Sequence, residues 1–386
     1  SGLLPMEGAG PLPPDIDAGP VELSPHWKLA RAKNRIARAL ARYAGGAPAV
    51  DLTADDPAYI AFTSGSTGQP KGVLCRHGPM SYFLPWQRET FDLSSDDRYG
   101  LTSGLAYNHL HRDVFTALAL GATLRVPSDN DLKDPELFAE WLRRHEISIL
   151  HLTPALGRFL QSAGNKRLPA LPRVFFGGDF LSSRDVAAMR EMAPGVAVTG
   201  FYGATETQRA VGYFAVSDSR ADPYDPPRPV PIGRGAPGVQ FLLLAPDGRL
   251  AGIGETGELY LRSPHLAAGY LGDPDLTDAQ FITNPFSGDR RDRLYRTRDL
   301  GRYLPDGNVE WVGRSDRRAK VRGFRVEPAE VEAALRECSG VRLAAVLAHE
   351  AVSVDMSNRE ARFEQSYSAD GGATWETNWI AVDTRR

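Results

Sequence analysis

From Thr63 to Gly72 the chain reads Thr63-Ser64-Gly65-Ser66-Thr67-Gly68-Gln69-Pro70-Lys71-Gly72. The glycines let a backbone wrap closely around an anion, the hydroxyls and amides donate hydrogen bonds, and Lys71 adds a point charge. That is phosphate-binding chemistry. The spacing is not that of a Walker loop, because Pro70 stands where a second glycine should precede the lysine and Gly72 replaces its Ser/Thr. Taken alone, the loop could still be a generic glycine-rich turn. His109 and His111 would share a face if they lay on a strand, which invites zinc, but no Cys or Asp stands at ligand spacing to support it.

The elements that must position these residues follow from pattern. Asp55 to Pro57 introduces a strand, Ala58 to Thr63, that feeds the loop. Beyond it strand-like and helix-like runs alternate: strand Ala122 to Pro127, helix Pro135 to Arg144, strand Ser148 to Leu152 and strand Arg173 to Phe176. Such alternation predicts an α/β fold, a parallel sheet with flanking helices. After about Ile232 short strands with turns at Pro246-Asp247-Gly248 and Pro305-Asp306-Gly307 predict a β-rich subdomain. A polar joint at Gly313 to Asp316 precedes Arg325 to Arg336, where Pro328, Glu327 and Glu330 mark a helix start and a second small α/β lobe. Ala361 to Arg386 reads as two strands around an Asp-Gly-Gly turn. Residues 1–25 read as an irregular leader, and His26 to Tyr43 as a basic amphipathic helix with Leu29, Ile36 and Leu40 on one face.

The totals narrow the partners. The 386 residues are 42% hydrophobic with a formal net charge of -3, so no bulk attraction to nucleic acid or anionic lipid is implied. Neither is expected as a partner. Cys75 and Cys338 lie far apart without metal-type spacing, which fits two structural thiols in a reducing compartment. Nowhere do about eighteen apolar residues run together, and the expectation is a cytoplasmic protein.

The run YIAFTSGSTGQPKGV resembles the phosphate-loop signature of the adenylate-forming superfamily, which includes peptide-synthetase adenylation domains, acyl- and aryl-CoA ligases and luciferases. Further segments match in the same order: Phe201 to Thr207, Gly254 to Leu259, Tyr295 to Gly301, and Gly313 to Asp316 running on through Lys320 to Arg325. Asp55 to Tyr59 and Pro305 to Glu310 are similar to peptide-synthetase adenylation domains in particular. The resemblance implies a large adenylation lobe over 51–313, the start of a small C-terminal lobe over 314–350, and an unrelated hairpin over 351–386. It also implies attack of a carboxylate on the α-phosphorus of ATP, giving an acyl-adenylate and pyrophosphate, then acyl transfer to the phosphopantetheine thiol of a carrier protein. An acyl-CoA ligase, or a remnant that holds nucleotide without turnover, are the alternatives.

By that resemblance Thr63, Ser64, Gly65, Ser66, Thr67, Gly68 and Lys71 cradle phosphates, with Lys71, Thr205 and Glu206 catalytic and Glu206 holding Mg²⁺. Gly177, Gly178 and Asp179 line the adenine side, Tyr202 and Gly203 lie against the base, Asp299 accepts from the ribose hydroxyls, Arg314 reaches ribose or phosphate, and Asp316 is the hinge. The acyl pocket would comprise Asn108, His109, Arg112, His151, Phe175, Phe201 and Arg209. Asn108 replaces the Asp that pairs with an amino-acid ammonium, and asparagine offers no counter-charge. A small carboxylic acid other than an ordinary α-amino acid is therefore expected, one with an extra anion or a hydrogen-bonding ring. Three departures stand out. The loop begins at Thr63, where the family has a long preceding stretch; the family's late lysine has no counterpart, since no lysine follows Lys320; and Arg298 stands where the family has glycine.

Overall fold

Strands that are apolar throughout belong inside a sheet covered on both faces, and Ile149-Leu150-His151-Leu152 is such a run. In the computed structural model, which describes residues 50–63, 70–104, 109–164, 166–217 and 228–316 and the strand backbone at 319–321, 324–326, 360–367 and 376–384, that run lies within a seven-stranded sheet. Ser1–Leu52 and Thr53–Arg386 form separate compact units, and every element named below lies in the second.

The sheet comprises β3 (Arg98–Gly100), β4 (Thr123–Arg125), β5 (Ile149–Leu152), β6 (Arg173–Gly177), β7 (Ala197–Tyr202), β8 (Gly212–Ala215) and β9 (Arg234–Gly235), in the order β4-β3-β5-β6-β7-β8-β9. The first five are mutually parallel, and β8 and β9 continue antiparallel. Alternation splits the strands between two cores. Ile149, Phe175 and Phe201 face one cluster with Phe83, Trp86 and Tyr99. Leu150, Val174 and Phe176 face the other with Phe138, Trp141, Val186 and Met189.

The helices begin where capping chemistry dictates. The helix at Pro135–Arg144 starts on Asp134, whose carboxylate accepts from the amides of Glu136 and Leu137, with Pro135 pre-set in the first turn. Pro154–Gln161 starts on Thr153, which accepts from Leu156 N. Ser183–Met192 starts with a Ser182/Asp185 capping box. Two further helices, α1 (Gly78–Phe91) and α2 (His109–Leu120), carry residues of the site.

Two smaller sheets complete the frame. β1 (Pro57–Thr63) and β2 (Lys71–Arg76) form a hairpin that sets Thr63 opposite Lys71, with β12 (Gly269–Tyr270) on its other edge. The glycine-rich segment Ser64 to Gln69 falls between these two strands in the chain and lies outside the described residues. β10 (Gln240–Leu244), β11 (Thr256–Arg262), β13 (Phe281–Thr283), β14 (Arg293–Tyr303) and β15 (Val309–Arg314) form the β-rich sheet expected after Ile232. Gly248 and Gly307, at φ of 83° and 79°, take the left-handed positions their turns require. Two hairpins follow, β16 (Ala319–Val321) with β17 (Phe324–Val326), and β18 (Glu360–Tyr367) with β19 (Glu376–Thr384). Arg325 thus lies in a strand, and the helix expected from Glu327 onward, like the leader, the basic helix and Cys338, lies outside the described residues.

Candidate functional site

Parallel strands leave room for ligands beyond their carboxyl ends. Here β5, β6 and β7 end side by side at Leu152, Gly177 and Tyr202, in register. A cavity of about 300 Å³ opens there, lined by Thr102, Ser103, His109, Arg112, His151 and Gly177 among others. Of the residues expected around an acyl group, His109, Arg112 and His151 form its wall. Phe175 and Phe201 stand behind it in a column of rings from three neighbouring strands: His151 stacks on Phe175 at 4.8 Å, and Phe175 on Phe201 at 4.9 Å. Arg209 is not in the lining; it donates to Tyr59 Oη at 2.9 Å and to the Gln208 carbonyl. Asn108 lies outside the described residues. The zinc reading loses its premise, because His109 and His111 lie in the first turn of α2 and not on a strand, and His111 packs on the Tyr59 ring at 4.3 Å. Among the described residues no group of three metal-type side chains converges.

Asp113 is not among the residues expected at the site, yet it is the electrostatic centre of the wall. It is wholly buried, accepts from Ser103 Oγ at 2.8 Å and Arg112 Nε at 3.2 Å, and lies 3.0 Å from His151 Nδ1. Burial alone would push its carboxyl up, but Arg112, His151 and Ser103 hold it at about 2. Burial and the Arg112 charge lower His151 to about 4, so its contact with Asp113 is a hydrogen bond from a neutral ring and not an ion pair. His109 is lowered to about 3 for the same two reasons. The signal for Asp113 is a lone acid immediately before the largely apolar run Val114-Phe115-Thr116-Ala117-Leu118.

Next to this cavity, the turn after β7 is fixed from several sides. A Cβ on Gly203 would stand 2.6 Å from the Arg209 carbonyl oxygen, so the backbone closes there only without a side chain. Thr205-Glu206-Thr207 makes a single 3-10 turn, and Thr207 Oγ1 bonds back to the Ala204 amide at 2.9 Å. Glu206 is wholly buried and accepts from Tyr270 Oη at 2.7 Å, while its carbonyl accepts from Ala267 N at 2.8 Å. Tyr270 comes from β12, which pairs with β2, and Arg76 of β2 donates from its amide to Gln208 at 2.9 Å. The strand that begins at Lys71 is thereby stitched to the turn that carries Glu206.

The β-rich sheet reaches the same place through one hydrogen bond, from Tyr202 Oη to Asp299 Oδ2. Asp299 on β14 faces Arg314 on β15 in register, and Arg314 donates to Asp299 with one arm and to Asp316 at 2.8 and 2.9 Å with the others. Gly177, Gly178 and Asp179 follow β6; Gly178 has φ of 89°, and Asp179 caps the Phe180 amide at 2.8 Å. Arg298 has φ of 66°, a conformation that explains why glycine suits the position, and its Nε lies 3.9 Å from Glu258 Oε1.

A buried hydroxyl with unmet capacity can meet a ligand. Thr63 Oγ1, beside the glycine-rich segment, is buried without a hydrogen-bond partner among the described residues. Glu206 is a single carboxylate, the kind of ligand Mg²⁺ takes together with substrate phosphates. Residues 15–271 match the family described as AMP-binding enzyme. The chain belongs to that family. Its members use ATP to form adenylates, and the resemblance to peptide-synthetase adenylation domains is borne out.

The relatives agree. L-2-aminoadipate reductase large subunit of Eremothecium gossypii is 42% identical over 303 residues, 72% of this chain and 22% of its own length. A plipastatin synthase polypeptide of Bacillus subtilis is 35% identical over 78% of this chain and 8% of its own. The chain thus spans about a fifth or less of these relatives. Among solved structures, the Vibrio cholerae adenylation domain AlmE with glycyl-adenosine-5'-phosphate matches at TM-score 0.67 and 28% identity, covering 76% of this chain and 54% of that one. The fused adenylation-PCP di-domain NpsA-ThdA from Klebsiella oxytoca matches at 0.70 and 29%, covering 81% and 62%. They bear out the α/β fold.

Proposed function

We propose that this chain activates a small carboxylic acid as an acyl-adenylate for transfer to the phosphopantetheine thiol of a carrier protein. The observation that carries the reading is the hydrogen bond from Tyr202 to Asp299, which unites two motif segments 97 residues apart beside an acid-sized cavity. A carboxylate oxygen bonds to the α-phosphorus of ATP as the bond to the pyrophosphate oxygen breaks; the thiolate then attacks the acyl carbonyl and AMP leaves. The protein's work is placement and charge compensation.

In this reading Thr63, the glycine-rich segment and Lys71 hold the phosphates, Tyr202, Gly203 and Gly177 to Asp179 border the adenine, and Asp299 with Arg314 takes the ribose. Thr205 and Glu206 face the phosphates, and Asp316 is the joint to the following hairpin. Mg²⁺, when bound at Glu206, supplies positive charge to the phosphates. The cavity holds the acid, with Arg112 suited to an anionic or hydrogen-bonding group on it. Relatives named for L-2-aminoadipate, an α-amino diacid, favour a diacid and a reductive fate of the thioester in a longer protein, and run against the expectation of an acid without an α-amino group.

The test is carboxylate-dependent exchange of labelled pyrophosphate into ATP over aryl, hydroxy, keto, amino and dicarboxylic acids. Exchange with one class supports the reading. Absence of exchange with every acid, alongside measurable ATP binding, rejects it in favour of a nucleotide-holding remnant, and acyl transfer to free coenzyme A would favour a ligase.

A further inference from the structure

Behind the cavity wall the polar side chains continue inward as a closed chain. Asp113 accepts from Ser103 and from Arg112 Nε, and its Oδ1 faces His151 Nδ1 at 3.0 Å. On the other side of the ring, His151 Nε2 meets Gln87 Nε2 at 3.2 Å, and Gln87 Oε1 meets Thr116 Oγ1 at 3.1 Å. Gln87 on α1 and Thr116 on α2 are wholly buried, and neither is in the cavity lining.

The direction of this chain follows from its acid end. An ionised Asp113 can only accept, so Nδ1 of the facing imidazole carries the proton. The neutral ring then presents a lone pair at Nε2, which requires the amide nitrogen of Gln87 there. The amide oxygen is left for the Thr116 hydroxyl. Each of these contacts then pairs a donor with an acceptor, and His151 has no ring nitrogen left for a substrate.

Arg112 has the opposite character. Its side chain is only 9% exposed and lines the cavity, and among the described residues its one hydrogen bond is from Nε to Asp113. The terminal nitrogens remain as donors for a ligand. We propose that Gln87, outside the cavity, is a positioning residue for acid selection: by donating to His151 Nε2 it holds the ring where Nδ1–H meets Asp113, keeps Asp113 on Arg112 Nε and leaves the Arg112 fork for an anionic group of the acid remote from the reacting carboxylate. With the ring free to turn, Asp113 would lose its Nδ1–H donor and draw the fork into a bidentate pair. This inference rests on the reading of the cavity as the acid site.

The test uses the full chain with two C6 probes, adipate and hexanoate, measured by equilibrium dialysis, with MgATP binding as a control. Ring ¹⁵N shifts, assigned by the signals lost in His151→Gln, report the tautomer. Expected for the wild type are a neutral Nδ1–H ring at pH 7 and adipate bound about tenfold or more tighter than hexanoate, the range of one charge-assisted hydrogen bond. Gln87→Met should move the His151 Nε2 signal, as its donor is lost, and bring the ratio near one, while hexanoate and MgATP binding stay within about twofold by the same scale. Thr116→Val, which unpairs Gln87 without touching the ring, should move both readouts the same way by less and keeps the test open where Gln87→Met does not fold. An Nε2–H ring, no adipate preference in the wild type, or equal losses for adipate, hexanoate and MgATP in the variants would each overturn the proposal. Failure of pyrophosphate exchange with the tautomer and preference intact would reject turnover alone.

Discussion

At the scale of single residues, Glu206 concentrates the proposed phosphate chemistry in one buried carboxylate braced by Tyr270. Glu206→Gln keeps the shape and the Tyr270 contact but removes the charge. Mg²⁺-dependent ATP binding should weaken about tenfold or more while Mg²⁺-free binding changes little, measured by calorimetry with and without the metal. An unchanged Mg²⁺ dependence would rule out this role. The two buried histidines give a pH signature with a definite sign. Below about pH 6.5 the unfolded chain protonates them while the folded chain does not, until about 4 for His151 and 3 for His109. Stability should therefore fall as pH drops through that window, by up to ~1.4 kcal/mol per pH unit for each ring. Asp113, held at about 2, acts in the same direction further down: it adds stability above its ordinary carboxyl value of 3.8 that is lost as pH falls from there toward 2. Urea midpoints from pH 7 to 4.5 in the wild type and in His151→Gln will show whether the slope shrinks. The sequence placed His109, Arg112 and His151 together but not what their atoms do. Nothing in a one-dimensional pattern shows that Gln87, on another helix, occupies the ring nitrogen that His151 was expected to offer.

At the scale of elements, local chemistry was readable and long-range pairing was not. The helix at Pro135–Arg144 coincides with the expectation because Asp134, Pro135 and the terminal arginines are all local signals. The strand expected at Ala122 to Pro127 is shorter, Thr123–Arg125, since only those residues find β3 beside them. Sheet order depends on which strands meet, and β3 lying between β4 and β5 is invisible in the chain order. Two glycine positions test the element geometry. Gly203→Ala forces a methyl against a backbone carbonyl that cannot swing away, so a loss of about 1–3 kcal/mol and weaker ATP binding are expected, read by thermal melts and calorimetry. Arg298→Gly does the reverse. Relief of a left-handed arginine, about 1–2 kcal/mol, exceeds the roughly 0.5–1 kcal/mol of added unfolded-state freedom. The melting temperature should rise by a few degrees or stay level, and a fall would show that the Glu258 contact outweighs the backbone.

For the molecule as a whole, the β18–β19 hairpin pairs only with itself among the described strands, whereas the adenylate-type motifs end by Arg325. We expect a chain lacking residues 351–386 to bind MgATP within about twofold of the intact one, checked by calorimetry, since no described contact of the site depends on the tail. A larger loss would mean that the tail supports the site. No described helix is long and apolar enough to cross a membrane. A further consequence lies in Asp299, whose carboxylate already accepts from Tyr202, Arg314 and, at 3.3 Å, Trp311. In the proposed reading, a ribose arriving there would exchange partners and add few. The nucleoside half of ATP would then act as a gauge of identity, with the grip supplied from the phosphate end, so adenosine alone should bind far more weakly than AMP.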